Sequence, residues 1–362
     1  MRIEELDYDL PRERIAQHPC PERDASKLLV LRRNGEPAVE DAVFRDVGRF
    51  LCPGDLLVLN ETKVFPARLE GRKTTGGAIE LLLVEPDPAS SAHESDDRAG
   101  AVAREWLCLA GFSRPPAPGS RLAFGPELEG VYLGPASGEL HRVRLEAQGG
   151  VMLRDAIERR GEVPLPPYIV RGADRGRAEE DRERYQTEFA ESEGAIAAPT
   201  AGLHFTLPLL RRLEADGIAT ARLTLHVGPA TFLPVRVPRI EDHAMPAERY
   251  VVPAETVSAV ARSRAAGGRV IAVGTTVVRA LESAADGRGG ILPARGRTDL
   301  YILPGHRFRV VDALITNFHL PRSTLLAMVC AFAGRDRVLS AYHRAVEAGY
   351  RFYSYGDAML IL

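Results

Sequence analysis

Short apolar runs that stop at polar or turn-forming residues recur along this chain, and their spacing divides it into stretches of different texture. Residues 27–32 (KLLVLR) and 55–60 (DLLVLN) have apolar centres with polar ends, the pattern of strands buried inside a sheet. Between about residues 65 and 150 come β-like pieces at 78–84, 105–109 and 142–146, separated by Pro- and Gly-rich turns with no good amphipathic helix among them. That texture predicts a small all-β module, barrel or sandwich, inserted in the chain. Inside it, 85–100 (EPDPASSAHESDDRAG) is polar and acidic and reads as a loop. After residue 150 strand and helix alternate: 194–198 leads to a helix near 207–215, 220–227 is a further apolar run, 270–273 precedes 275–283, and 310–315 precedes 323–334. Alternation of this kind predicts an α/β layered domain. The expected organisation is a main α/β domain made of residues 1–64 and 151–362, with 65–150 inserted between its parts.

Composition narrows the class without identifying a partner. A chain of 362 residues with 45% hydrophobic and 27% charged residues belongs with folded globular proteins. Its 47 Lys+Arg against 49 Asp+Glu leave a net charge of −2, so any polyanion must be met by a local patch. The four cysteines are scattered without a C-x-x-C pair, which argues against both a zinc site and a disulfide framework. The first residues, MRIEELD, are acidic and lack an apolar leader, and no run approaches the length of a membrane span, so the expected location is the cytoplasm.

Candidate chemistry lies at four places where an apolar strand gives way at once to Gly, Thr, His and Pro: 197–206 (AAPTAGLHFT), 225–232 (LHVGPATF), 273–279 (VGTTVVR) and 312–321 (DALITNFHLP). In open α/β sheets ligands bind beyond the carboxyl ends of the strands, where all four would sit. Each alone is ordinary turn chemistry; together, carrying His204, His226 and His319, they point to one shared site. A Thr of Gly274-Thr275-Thr276 is expected to cap the following helix, whose N-terminus attracts anions. Neither G-x-G-x-x-G nor the P-loop pattern occurs, and the histidines have no metal-ligand spacing, so no metal is expected. The charged stretch 171–185 reads as a self-paired solvated segment, or as an arm offering Arg to phosphates and Tyr168, Tyr185 or Phe189 to an unstacked base. Near the C-terminus only Tyr355 and Asp357 look spare.

The same segments carry a family resemblance. GAIAAPTAGLHFT at 194–206, LTLHVGPATFLPV at 223–235, VGTTVVRALES at 273–283, DALITNFHLPRSTLL at 312–326 and YRFYSYGDAMLI at 350–361 closely resemble the S-adenosylmethionine:tRNA ribosyltransferase-isomerases of queuosine biosynthesis. DYDLP at 7–11, DASKLLV at 24–30, GDLLVLNETKV at 54–64 and GGAIELL at 76–82 agree as well. The resemblance implies an α/β/α-layered main domain built from both ends of the chain, with a small β-barrel domain inserted. It implies transfer and isomerisation of the ribosyl part of S-adenosylmethionine onto 7-aminomethyl-7-deazaguanine at the tRNA wobble position, by a monomer needing no other cofactor. Two departures stand out: Ala230 where the family pattern has Gly, and Pro246 where an H-x-M-H element has its second His.

On this reading the sulfonium acidifies the adjacent 5′-methylene, and the protein must supply a base, an acid for the departing adenine and an anchor for the methionine carboxylate. His204 and His226 are the expected acid/base pair. Arg279 with Thr275 and Thr276 is the expected anchor, and Phe205 or Phe318 offers a ring face to the sulfonium or the target base. Thr200, Thr206, Asn317 and His319 complete the expected substrate contacts. The rival readings are an S-adenosylmethionine methyltransferase, which would show a Gly-rich first loop, and a non-catalytic RNA-binding module.

Overall fold

Alternating side chains of a few strands feed two different cores, and that alternation explains the layers. The structure, a computed structural model, describes residues 1–90, 101–171, 177–229 and 235–362. The chain opens with β1 (Lys27–Leu31), β2 (Val39–Val43), β3 (Leu56–Asn60) and β4 (Thr62–Val64). Six strands follow: β5 (Arg68–Lys73), β6 (Ala78–Pro86), β7 (Ala103–Gly111), β8 (Arg121–Ala123), β9 (Leu128–Pro135) and β10 (Leu140–Ala147). Helices α1 (Leu153–Arg160) and α2 (Ala178–Arg184) lead to β11 (Ser192–Ala195), α3 (Leu207–Ala215), β12 (Ala219–Leu225) and β13 (Glu248–Val252). The remainder is α4 (Ala254–Ala265), β14 (Val270–Val273), α5 (Thr275–Ser283), β15 (Ala294–Thr298), β16 (Ala313–Asn317), α6 (Thr324–Ala333), α7 (Arg335–Glu347) and β17 (Ala358–Ile361).

Nine strands form one sheet in the order β15-β13-β12-β3-β14-β16-β17-β1-β2. Its centre, β12-β3-β14-β16, is parallel, so these four strands end at the same edge. Strands buried on both faces read as continuous apolar runs, as LLVLN in β3 and VIAV in β14 do. Leu56 and Val58 of β3 point into one core with Val277, Val278 and Leu281 of α5 and the apolar face of α6. Leu57 and Leu59 point into the other, with Leu209, Leu210 and Leu213 of α3 and with Phe44 and Val47. This is the α/β layered architecture expected from the sequence.

β5 to β10 close into an antiparallel barrel with a core of its own around Leu69, Leu81, Phe124 and Leu145. Of the two all-β forms left open by the turn-rich texture, the structure is a barrel. Leu153, Ala156 and Ile157 of α1 join that core, so the helix after residue 150 packs on the barrel. The stretch expected as a loop from residue 85 differs at its start, because Glu85 and Pro86 extend β6 and Asp87 is buried against Arg142. Residues 91–100 of that stretch, 172–176 of the charged one and Ala230 lie outside the described residues.

The barrel and the helix beside it meet at an unusually close backbone approach. Gly161, which ends α1, leaves no space for a side chain: a Cβ there would lie 2.0 Å from the carbonyl oxygen of Pro66. Next to it Arg68 and Glu162 exchange backbone hydrogen bonds of 3.1 and 2.9 Å. A Gly161→Ala variant is therefore expected to force this joint apart and cost about 1–3 kcal/mol, as overpacking does. Urea unfolding followed by the fluorescence of Trp106, a barrel residue, checks it by a lowered midpoint.

Candidate active site

The parallel strands end at a cavity of about 380 Å³. All four strand-end segments contribute to its wall: Ala197 to Ala201, Val227, Gly274 to Thr276, and Thr316 to Pro321. The cavity opens where β3 and β12 part, and the buried side chain of Asn60 fixes the point of parting. Its Oδ1 accepts from Leu225 N at 3.0 Å and Thr62 N at 3.2 Å, while Nδ2 donates to Leu225 O at 2.9 Å and Thr276 Oγ1 at 3.3 Å. One amide thus stands in for the next ladder residue and ties β12, β4 and α5 together. Two helices begin at the wall. Gly274 precedes α5 and has no side chain to cap it, which corrects the expectation of a Thr cap: Thr275 and Thr276 are the first two helical residues. Ser323 caps α6 by accepting from Leu326 N at 3.2 Å.

Arg279 reaches the wall with each of its three nitrogens already donating one hydrogen bond. Its Nε donates to Leu300 O at 3.0 Å, Nη2 to Thr298 O at 3.1 Å, and Nη1 pairs with Glu248, both side chains being 5% exposed. Glu248 in turn accepts from Gly228 N at 2.7 Å. The guanidinium expected to anchor a carboxylate is engaged in a buried pair that braces α5 against β13 and β15.

The three histidines occupy different places. His319 is at the cavity wall; its Nε2 lies 2.8 Å from Thr316 Oγ1, its backbone N–H donates to the hydroxyl of Tyr342, and its carbonyl accepts from Tyr8 at 2.5 Å. Its Nδ1 has no hydrogen-bond partner among the described residues. His204 is buried behind the wall between Ser26 and Asn317 and borders a separate crevice of about 20 Å³. His226 lies outside the cavity lining, its Nδ1 2.9 Å from Thr62 Oγ1. Its ring fits under Gly194, where φ is +146° and a Cβ would come within 2.9 Å of it. Burial holds all three far below the usual histidine range, to about 3 for His204 and His319 and about 4 for His226. Nearby guanidiniums, Arg351 and Arg23 for His204 and Arg249 for His226, act in the same direction. At neutral pH each is an uncharged imidazole.

The other expected contacts divide in the same way. Thr200, Thr275, Thr276, Asn317 and Phe318 line the cavity. Thr206 does not, because its hydroxyl caps α3 by accepting from Leu209 N. Phe205 offers no face to a ligand: it is fully buried on the other side of the sheet, edge-on to Phe44 with centroids 4.9 Å apart. Phe318 is enclosed by Tyr342, Tyr350 and Phe352. Of the aromatics assigned to an arm, Tyr185 and Phe189 are buried, and Tyr168 and Tyr185 line the cavity, Tyr168 beside Tyr353 with ring centroids 4.5 Å apart. Tyr353 holds φ at +73°, a conformation a bulky residue rarely adopts. Nothing local in the sequence pairs Tyr168 with the 353–354 turn; the fold does, through Tyr168 and Ser354 hydroxyls 2.7 Å apart. Neither Tyr355 nor Asp357 is spare: Tyr355 donates to Asp181, which also pairs with Arg171, and Asp357 accepts from Lys27 N and Arg351 N. Beside the Pro246 departure, Met245 lines the cavity. Among the described residues no group of three or more His, Cys, Asp or Glu is placed to hold a metal ion.

Comparison with known proteins adds an independent line. The profile of a family described as queuosine biosynthesis protein matches residues 3–361. An S-adenosylmethionine:tRNA ribosyltransferase-isomerase of Pelobacter propionicus is 50% identical over 361 residues, covering 100% of both chains. One from an Anaeromyxobacter species is 51% identical, covering 100% of this chain and 99% of its own. A crystal structure of S-adenosylmethionine tRNA ribosyltransferase from Thermotoga maritima aligns over 99% of this chain and 100% of that one, with a TM-score of 0.53 and 37% identity.

The depressed histidines couple stability to pH. Each binds its proton near pH 6.5 in the unfolded chain but only near pH 3 to 4 when folded, so their stabilising contribution is complete above pH 6.5 and is lost as pH falls toward 3. At pH 5, His204 and His319 should each have removed about 2 kcal/mol of unfolding free energy. Urea titrations at pH 7.5 and 5.0 test this, and His319→Gln should flatten the difference by one such share.

Proposed function

The chain belongs to the queuosine biosynthesis protein family, and from that premise we propose that it acts as an S-adenosylmethionine:tRNA ribosyltransferase-isomerase. It moves the ribosyl part of S-adenosylmethionine onto 7-aminomethyl-7-deazaguanine at the tRNA wobble position, giving epoxyqueuosine and releasing adenine and methionine. The observation that carries this reading is the convergence of the four motif segments on one cavity at the ends of the parallel strands.

The sulfonium of the donor is itself the electron sink, so the chemistry asks the protein for proton transfer, orientation and a dry site, without a metal or further cofactor. His319 is assigned the proton transfers on position: it is at the wall, with Nδ1 unengaged among the described residues. It takes the 5′-methylene proton and, as the imidazolium so formed, returns it to the departing adenine. The methionine carboxylate is anchored at the starts of α5 and α6, by the N–H groups of Thr275, Thr276 and Thr324, with the Arg279–Glu248 pair holding the first of these in place. Tyr168 and Tyr353 replace the expected phenylalanines as the ring faces toward the sulfonium. Because the macromolecular substrate is tRNA, we infer that the enzyme works in the cytoplasm.

The deciding assay incubates the protein with S-adenosylmethionine and tRNA carrying the deazaguanine precursor. Free adenine and methionine are expected in equal amounts. S-adenosylhomocysteine instead would mean a methyltransferase, and tRNA binding without turnover an RNA-binding module. Within the same assay, Tyr353→Ala should raise KM for S-adenosylmethionine about tenfold, while Tyr353→Phe, which keeps the ring, stays near wild type. Equal effects of the two variants would remove the ring from the binding site.

A further inference from the structure

Behind the cavity wall runs a buried hydrogen-bond chain whose donors and acceptors fit in only one way. Asn317, at the end of β16, directs Nδ2 to the carbonyl of Tyr353 at 3.0 Å and to Nε2 of His204 at 3.3 Å. An amide nitrogen has hydrogens to give and no lone pair to offer, so His204 Nε2 is the acceptor. The ring proton is then on Nδ1, which lies 2.8 Å from Ser26 Oγ. Flipping the Asn317 amide would set Oδ1 against the Tyr353 carbonyl, and protonating Nε2 would set two donors face to face. With both Nδ2 hydrogens used, Asn317 Oδ1 is left buried and without a partner among the described residues, on a side chain that lines the cavity. A buried acceptor left open costs free energy, and a ligand donor at the wall can satisfy it.

We infer that His204 is a positioning residue: through Nε2 it fixes the carboxamide of Asn317 so that Oδ1 faces the cavity as the acceptor for an N–H or O–H donor of the bound substrate. His204 is 4% exposed, borders the small crevice instead of the main cavity, and has its one lone pair already engaged, so it does not meet the reacting atoms. Burial also keeps the ring neutral across the physiological range, which preserves the acceptor. This assignment replaces the expected acid/base role of His204, and its catalytic consequence rests on the ribosyl-transfer reading.

The test has one arm that needs no turnover. Long-range proton–nitrogen NMR of the full chain at pH 7.5 should show His204 as the Nδ1–H tautomer, and either the Nε2–H form or an imidazolium would overturn the assignment. The second arm compares variants in adenine release. His204→Ala should lower kcat/KM by tenfold or more, and His204→Gln, whose Oε1 can accept from Asn317 at the position of Nε2, should restore most of that loss with an unchanged pH–rate profile. His204→Gln as inactive as His204→Ala, with a native circular dichroism spectrum, would mean that the ring transfers a proton. A wild-type rate in His204→Ala would mean that Asn317 needs no positioning. If the wild-type protein itself releases no adenine, the ribosyl-transfer reading fails, and the tautomer alone decides the hydrogen-bond chain.

Discussion

Two parallel strands cannot make room for a ligand while their ladder continues, and the buried amide of Asn60 is what ends it. Its four hydrogen bonds satisfy Leu225 N and O, Thr62 N and Thr276 Oγ1, so β12 keeps its pairing while the chain after β3 leaves the sheet. α5 starts there because Thr276 is held by the same amide, and β4 carries the chain away toward the barrel. An apolar residue at position 60 would leave two backbone groups of Leu225 buried and unpaired.

At the cavity wall Arg279 pairs with Glu248 and burial keeps His319 neutral. The same burial that opens a substrate-sized space pushes the histidines down to about 3 to 4 and closes Arg279 onto Glu248. Removing either member of that pair would leave an uncompensated buried charge, which is far costlier than the pair is favourable. Electrostatics here preserve shape first, and the shape then selects which imidazole meets the ligand.

That arrangement also explains the charge pattern. Much of the arginine content is tied to acids within the fold: Arg269 to Asp55 at the start of β3, Arg142 to Asp87 on the barrel, Arg171 to Asp181 beside Tyr355. For Asp55, burial raises the carboxyl, but Arg269 and two backbone N–H groups outweigh it and hold it below the usual range. Glu85 holds Arg297 at 2.8 Å, linking barrel to sheet edge. Such pairs cancel locally, so the net charge of −2 says little about what the surface around the cavity attracts.

By itself the sequence determined the layers and the ligand edge. The apolar runs of β3 and β14 can only be buried on both faces, and strands that end in Gly, Thr and His clusters place those clusters together once the strands are parallel. It also determined the family, because long motifs spread over the whole chain carry that information. Roles within the site were legible only in part: Thr200, Thr275, Thr276, Asn317 and His319 are at the wall, while Thr206, Phe205 and His204 are turned to capping, packing and support. Strand alternation sends neighbouring residues to opposite faces, so adjacency in sequence does not say which of two polar side chains meets the ligand. Asn60 gave a signal, a polar residue closing a fully buried run. Tyr168 and Ser354, 186 positions apart, gave none. Their meeting, the burial that neutralises the histidines and the pairing of Arg279 with Glu248 were decided by the tertiary structure alone, because each depends on what distant segments bring to the same few ångströms.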